Sequence, residues 1–222
     1  MPLPESFRPE AVVFDLDGTL IDSAGSLHAA AAAMMRELGL PEPDLPTVTG
    51  FVGNGVPRLV EHCLAWAGAT GRQADGLAVF RQIYDADPVT GVVVFDGARM
   101  VLETLVAEGL MIGLCTNKPE APTRTLLAAL DLPRFDAVAG GDTLPHRKPA
   151  PEPLWHVLSD LGVSVDRALF VGDSSVDAQT AHAAGVAYVH VPSGYGHGIG
   201  PDADVTLSHL SDLIAVVRNI RS

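Results

Sequence analysis

Ala11-Val12-Val13-Phe14-Asp15-Leu16-Asp17-Gly18-Thr19 is the stretch on which the fold turns. Four consecutive apolar residues describe a buried strand, and the strand delivers two carboxylates to its carboxyl end, where open α/β sheets place their chemistry. Neighbouring strand residues alternate in direction, so Asp15 and Asp17 start on one side. Gly18 then permits an abrupt turn at positive φ, and Thr19 can hydrogen-bond backbone as the chain leaves. An Asx-rich turn with no chemistry would use the same residue types. A calcium loop of the EF-hand kind would not, because its twelfth position, counted from Asp15, is Ser26 rather than an acid.

Working outward, further apolar runs end in polar residues of complementary kind. Met111-Ile112-Gly113-Leu114-Cys115 leads into Thr116-Asn117-Lys118-Pro119, and Ala168-Leu169-Phe170-Val171-Gly172 leads into Asp173-Ser174-Ser175-Val176-Asp177. Between them lies His146-Arg147-Lys148-Pro149. In this order the four segments match the motif set of the haloacid dehalogenase superfamily of phosphotransferases, which the chain resembles from about Val12 to the Gly194-Tyr195-Gly196-His197-Gly198 segment.

Strand-like runs near residues 11–15, 111–115, 136–139, 168–172 and 186–191, with a short one near 203–206, alternate with helical patterns. The expected fold is α/β, a Rossmann-like parallel sheet flanked by helices. The alternation breaks between about Asp22 and Gly91, where an Ala-rich helix over Ser23 to Leu40 is followed by a Pro-rich link, Pro41 to Pro46, and by helices near Pro57–Ala67 and Arg72–Asp85. Asp22 or Ser23 suits the first N-cap, and Pro57 a first helical turn. A crossover needs only about a dozen residues, so this block is read as an inserted helical cap. The expected domains are a core of residues 1–21 and 92–222 and a cap of 22–91, hinged near Ile21-Asp22 and Val94-Phe95. Helices packed directly on the sheet are the alternative.

At 222 residues with 47% apolar content, the chain is long enough for a sizeable core. A net charge of −13 argues against nucleic acid as a partner. Cys63 and Cys115 offer neither metal spacing nor a disulfide framework, and Met1-Pro2-Leu3-Pro4-Glu5 lacks a basic n-region. These features fit a cytoplasmic protein, monomer or homodimer, with no membrane partner.

The resemblance implies phosphate monoester hydrolysis through an aspartyl-phosphate. On it, Asp15 is the nucleophile and Asp17 the general acid and base. The dehalogenase branch lacks that second acid, so carbon–halogen cleavage is not expected. Mg²⁺ is the implied cofactor, held by Asp15, the backbone carbonyl of Asp17 and Asp173, with Asp177 orienting a water or a neighbour. Asp173 or Asp177 would alternatively cap the following helix. Thr116 and Asn117 hold phosphoryl oxygens and Lys148 neutralises nucleophile and phosphoryl group. Arg147 and His146 read as flanking surface.

The Gly-rich loop from Gly50 to Arg58 is the natural reader of the rest of the substrate, with Asn54, Arg58 and Lys118 the candidates to bind it. The same loop, the Thr116–Pro119 motif and the late glycine segment resemble the branch that cleaves 2-phosphoglycolate, a small phosphorylated acid. Tyr195 and His197 either line the site or decorate a loop. A phosphosugar mutase of the same fold, or a non-catalytic phospholigand binder, are the alternatives in function.

Overall fold

The computed structural model describes residues 6–192, 195 and 203–221. Its elements, in order, are β1 (Ala11–Phe14), β2 (Ile21–Asp22), α1 (Ala24–Glu37), α2 (Leu45–Thr49), α3 (Val56–Trp66), α4 (Gln73–Ala86), β3 (Val93–Val94), α5 (Ala98–Ala107), β4 (Met111–Cys115), α6 (Glu120–Ala129), β5 (Ala137–Ala139), α7 (Glu152–Leu161), β6 (Ala168–Gly172), α8 (Ser175–Ala184), β7 (Ala187–His190), β8 (Val205–Thr206) and α9 (Asp212–Arg221).

Six strands form one parallel sheet in the order β5-β4-β1-β6-β7-β8. The chain runs outward from β1 through β4 to β5, then returns to the other flank of β1 and continues through β6 to β8. That reversal opens a crevice at the carboxyl ends of the central strands. Phe14 stands beside Leu114 and Val171, so Asp15, Thr116 and Asp173 leave the sheet close together.

Both faces of the sheet are covered, which explains the unbroken apolar runs. Val12 and Phe14 join α5, α6 and α9 through Leu102, Leu105, Leu126 and Leu213. Ala11 and Val13 point the other way, into Leu154, Val157, Leu161, Ala181 and Phe170. Asp15 shares the direction of the second set and therefore meets the side of the sheet that carries α7 and α8. Gly113 has a packing reason: a Cβ there would approach Val157 Cγ1 to 2.5 Å, so its absence lets α7 lie close on β4.

The helical region α1–α4 lies between β2 and β3 and has its own apolar cluster, built on Leu27, Ala31, Met34, Met35, Val60, Leu64, Phe80 and Tyr84. The alanine run packs as the sequence suggests, with Ala30, Ala31 and Ala32 buried. β2 and β3 pair antiparallel, Ile21 with Val94 and Asp22 with Val93. Both crossings into and out of the helical region therefore pass through one two-stranded ribbon.

Two local readings change. The Pro-rich link contains a short helix: the Asp44 carboxylate accepts from Thr47 N at 3.0 Å and Pro46 sits in the first turn, where its missing N–H leaves nothing unsatisfied. Ser23 occupies the N-cap position of α1 without capping it; the Asp22 side chain accepts from Ala24 N instead, at 2.9 Å. No helix among the described residues is long and apolar enough to cross a membrane.

Candidate active site

Asp15, Asp173 and Asp177 converge beyond the ends of β1 and β6, each offering a carboxylate oxygen within 4.8 Å of the others, and all three are buried. Lys148, from the loop before α7, enters this cluster. Its Nζ lies 2.7 Å from Asp15 Oδ1 and 2.6 Å from Asp177 Oδ1, and 5.4 Å from the centre of the Phe170 ring. One ammonium thus faces three acids. Burial, with the charges of Asp177 and its neighbours adding to it, raises Asp15 well above the usual carboxylate range against the opposing pull of Lys148. Asp173 is raised for the same reasons, burial first and then Asp177 and Asp15. A hard divalent cation with oxygen ligands fits this surplus of buried negative charge. The approach around Asp173 is also held open by the backbone, since any Cβ at Gly18, whose φ is +93°, would collide with the Asp173 carboxylate.

Asp177 performs two jobs. Its Oδ2 accepts from Ser174 N at 3.1 Å and Ser174 Oγ at 2.5 Å, completing a capping box on α8, while Oδ1 holds Lys148. The capping and the charge-holding readings of this residue are therefore both present in one side chain.

Asp17 turns away from the three acids. Lys118 Nζ donates to its two oxygens at 2.9 and 3.1 Å, and Ser23 Oγ donates to Oδ1 at 2.5 Å. Lys118 is buried, and its ammonium sits 5.1 Å from the centre of the Tyr84 ring on α4. Burial alone would lower this lysine, but the Asp17 carboxylate beside it outweighs that and raises it. Asn117 Nδ2 donates to Gly53 O at 3.2 Å and to Lys148 O at 3.0 Å, tying the Gly-rich loop to the loop that carries Lys148. Thr116 Oγ1 accepts from Lys118 N at 3.2 Å.

Two chambers open between the sheet and the helical region. The inner one, about 30 Å³ of free space, is walled by Asp15, Asp17, Thr116, Asn117 and Lys118 on one side and by apolar Leu27, Val52, Val56 and Leu59 on the other. That is room for roughly two water-sized groups. The outer chamber, about 130 Å³, runs from Asp15 and Asp173 past Asn54 and His62 to Tyr195.

Residues 12–191 match the family of haloacid dehalogenase-like hydrolases. The chain belongs to that family. This hydrolase is 46% identical over 190 residues to a phosphoglycolate phosphatase of Cereibacter sphaeroides, covering 84% of this chain and 86% of the relative. It is 45% identical over 197 residues to a phosphoglycolate phosphatase of Rhodospirillum rubrum, with 84% and 81% covered. A crystal structure described as a predicted phosphoglycolate phosphatase from Haemophilus somnus superposes with a TM-score of 0.87 at 27% identity, covering 94% of this chain and 97% of the other. CbbY from Rhodobacter sphaeroides in complex with phosphate shares the fold, with a TM-score of 0.79 at 23% identity over 92% of this chain and 96% of the other.

Of the residues singled out from sequence, the hydrolase gathers Asp15, Asp17, Thr116, Asn117, Lys118, Lys148, Asp173 and Asp177 around one crevice. Asn54 is exposed and borders the outer chamber. Arg58 does not join them: it is exposed on α3 and paired with Glu61, one helical turn on, at 2.6 Å. Tyr195 is more than a loop decoration. Its hydroxyl accepts from Ser23 N at 2.7 Å and donates to Asp22 at 3.2 Å, and its own N–H donates to Asp173 Oδ2 at 3.2 Å. His197 lies outside the described residues.

Ser23, His62 and Tyr84 were not anticipated at the site. Ser23 carried a signal that pointed elsewhere, to capping. Tyr84 and His62 sit in ordinary amphipathic helices, and only the tertiary packing brings them near the strand ends.

Proposed function

We propose that this hydrolase cleaves 2-phosphoglycolate to glycolate and phosphate through an aspartyl-phosphate on Asp15, with the helical insertion, residues 22–91, acting as a cap. The observation that carries the reading is the inner chamber. It joins the Asp15 carboxylate, small apolar walls and one buried ammonium, Lys118, in a space for a leaving group of a few atoms. A buried ammonium beside apolar walls favours an alcohol that carries an anion, and the curated relatives at 46% and 45% identity are phosphoglycolate phosphatases.

In the first half-reaction an Asp15 oxygen attacks phosphorus; the bond to Asp15 forms as the ester P–O bond breaks, and Asp17 gives a proton to the departing alkoxide. In the second, Asp17 takes a proton from water, the water oxygen attacks phosphorus, and the bond to Asp15 breaks to release phosphate. Lys148, fixed between Asp15 and Asp177, holds the nucleophile in place and offsets its charge. Thr116 and backbone N–H groups at the end of β4 receive phosphoryl oxygens. Asp15, Asp173 and the backbone carbonyl of Asp17, with Asp177 alongside, would hold Mg²⁺, which supplies positive charge between two approaching anions.

Phosphate release from a panel of phosphorylated acids and sugars, with Mg²⁺ and again with chelator, tests the reading. The expected result is preference for 2-phosphoglycolate, lost with chelator and lost in Asp15→Asn. Full turnover by Asp15→Asn would rule out the covalent route, and equal activity on sugar phosphates would overturn the substrate.

A further inference from the structure

The two buried lysines of the site differ in a way that reaches beyond the reaction just described. Lys148 is shared between two carboxylates, Asp15 and Asp177. Lys118 has one carboxylate partner among the described residues, Asp17, the group assigned to protonate the leaving oxygen. While Lys118 grips both oxygens of Asp17, that side chain is committed to the ammonium. It is not available to an ester oxygen on Asp15.

We propose that Lys118 exchanges partners on binding: the carboxylate of the substrate takes over the Lys118 ammonium and thereby releases Asp17 toward the ester oxygen. The inference rests on the substrate reading above and adds that the carboxylate is a trigger for turnover as well as a handle for affinity. The physical argument is one of compensation. Leaving a buried ammonium without an anion is costly, so Asp17 leaves Lys118 only when another anion arrives. The lysine side chain is 2% exposed, so bulk water cannot take the role of that anion. The inner chamber admits such an anion next to Lys118 and within the same walls as Asp15. Asp17 does not depend on the ammonium alone, since Ser23 Oγ also donates to it, at 2.5 Å in the Lys118-bound arrangement. Tyr84 keeps its ring against the ammonium through the exchange and holds Lys118 at the boundary between sheet and helical region.

A phosphate ester of an uncharged alcohol leaves Lys118 with Asp17, so Asp17 stays bound and the chemical step is slow. Discrimination between 2-phosphoglycolate and a phosphate ester of an uncharged alcohol then appears in kcat and not in KM alone.

The test supplies the substrate in pieces. Hydrolysis of methyl phosphate by the Mg²⁺-loaded wild-type protein is measured with increasing acetate. Exchange predicts that acetate raises kcat saturably, by about tenfold, the size of an ordinary coupling between two ligands. In Lys118→Met, methyl phosphate turnover without acetate is expected to rise, the acetate response to vanish, and kcat for 2-phosphoglycolate to fall. Acetate that only inhibits or does nothing in wild type, while 2-phosphoglycolate remains strongly preferred, overturns the exchange and leaves the substrate reading standing. Absence of any preference for 2-phosphoglycolate removes both. The acetate experiment needs no variant, so poor folding of Lys118→Met would not rescue a negative result.

Discussion

The active crevice has two halves that are built differently. On one side Lys148, Asp15, Asp173 and Asp177 come from strand ends and the loops beside them, and every partner belongs to the sheet domain. On the other side Lys118 and Asp17 meet Ser23 and Tyr84, which belong to the helical insertion and its approach. Charge on the first side is crowded and fixed. Charge on the second is paired one to one, Lys118 with Asp17, beside Ser23 and Tyr84 of the helical region. On the proposed reading, the chemistry sits on the strand ends of the sheet, whereas the leaving group is selected where residues of the sheet and of the helical region meet.

The largest expected effect is on the fixed side. Asp15→Asn removes the nucleophile, and a fall in kcat of about 10⁴-fold or more is expected from steady-state phosphate release. Next comes the contrast between the lysines in stability. Lys148→Met leaves Asp15 and Asp177 buried without their cation and is expected to cost about 3–5 kcal/mol by urea unfolding without metal. Lys118→Met is expected to cost less, because Asp17 keeps Ser23 and is 13% exposed. Equal losses would erase the distinction drawn between the two halves.

A smaller effect concerns pH and metal. Asp15 and Asp173, ordinarily near 3.8, are raised to about 7 and about 8, burial being the main cause. Without metal the folded state therefore binds more protons than the unfolded one above pH 4. Stability falls as pH rises from there through about 8, and levels off only above it, where both acids are ionised in either state. Thermal unfolding in chelator should show that loss, and Mg²⁺ should restore stability most at the upper end, where binding displaces the fewest protons. The smallest effects belong to a single hydrogen bond of the crevice and to the exposed surface. Ser23→Ala is expected to lose about 1–2 kcal/mol through its hydrogen bond to a charged partner. Arg58→Ala, whose side chain is 55% exposed and paired with Glu61, is expected to leave stability within about 0.5 kcal/mol and 2-phosphoglycolate kinetics unaltered.

How much of this was legible in the chain follows the same division. The strands of the fixed side read directly, because strands buried on both faces are continuous apolar runs and their polar ends fall in register across β4, β1 and β6. The boundary side did not. Lys118 and Asp17 are 101 positions apart, and no local pattern announces their pairing. Tyr84 looks like one more apolar contact in α4, and the β2–β3 ribbon is two residues per strand, too short for periodicity to show. Arg58 was drawn toward the site by its glycine-rich loop, although Glu61 three positions later was a sufficient partner. The short helix at Leu45–Thr49 is hidden by the prolines around it, whose density suggests a link although one of them suits a first turn.

Selection for a carboxylate in the leaving group is what the proposed arrangement of Lys118 and Asp17 demands. The direct measurement is kcat/KM of the wild-type hydrolase with Mg²⁺ for 2-phosphoglycolate against methyl phosphate, which replaces the carboxylate with hydrogen. A ratio of about 10³ or more in favour of 2-phosphoglycolate is predicted, as for a site whose buried charge is otherwise left to an internal partner. A ratio within about tenfold would mean that Lys118 does not read the substrate, and the assignment of the inner chamber would be wrong.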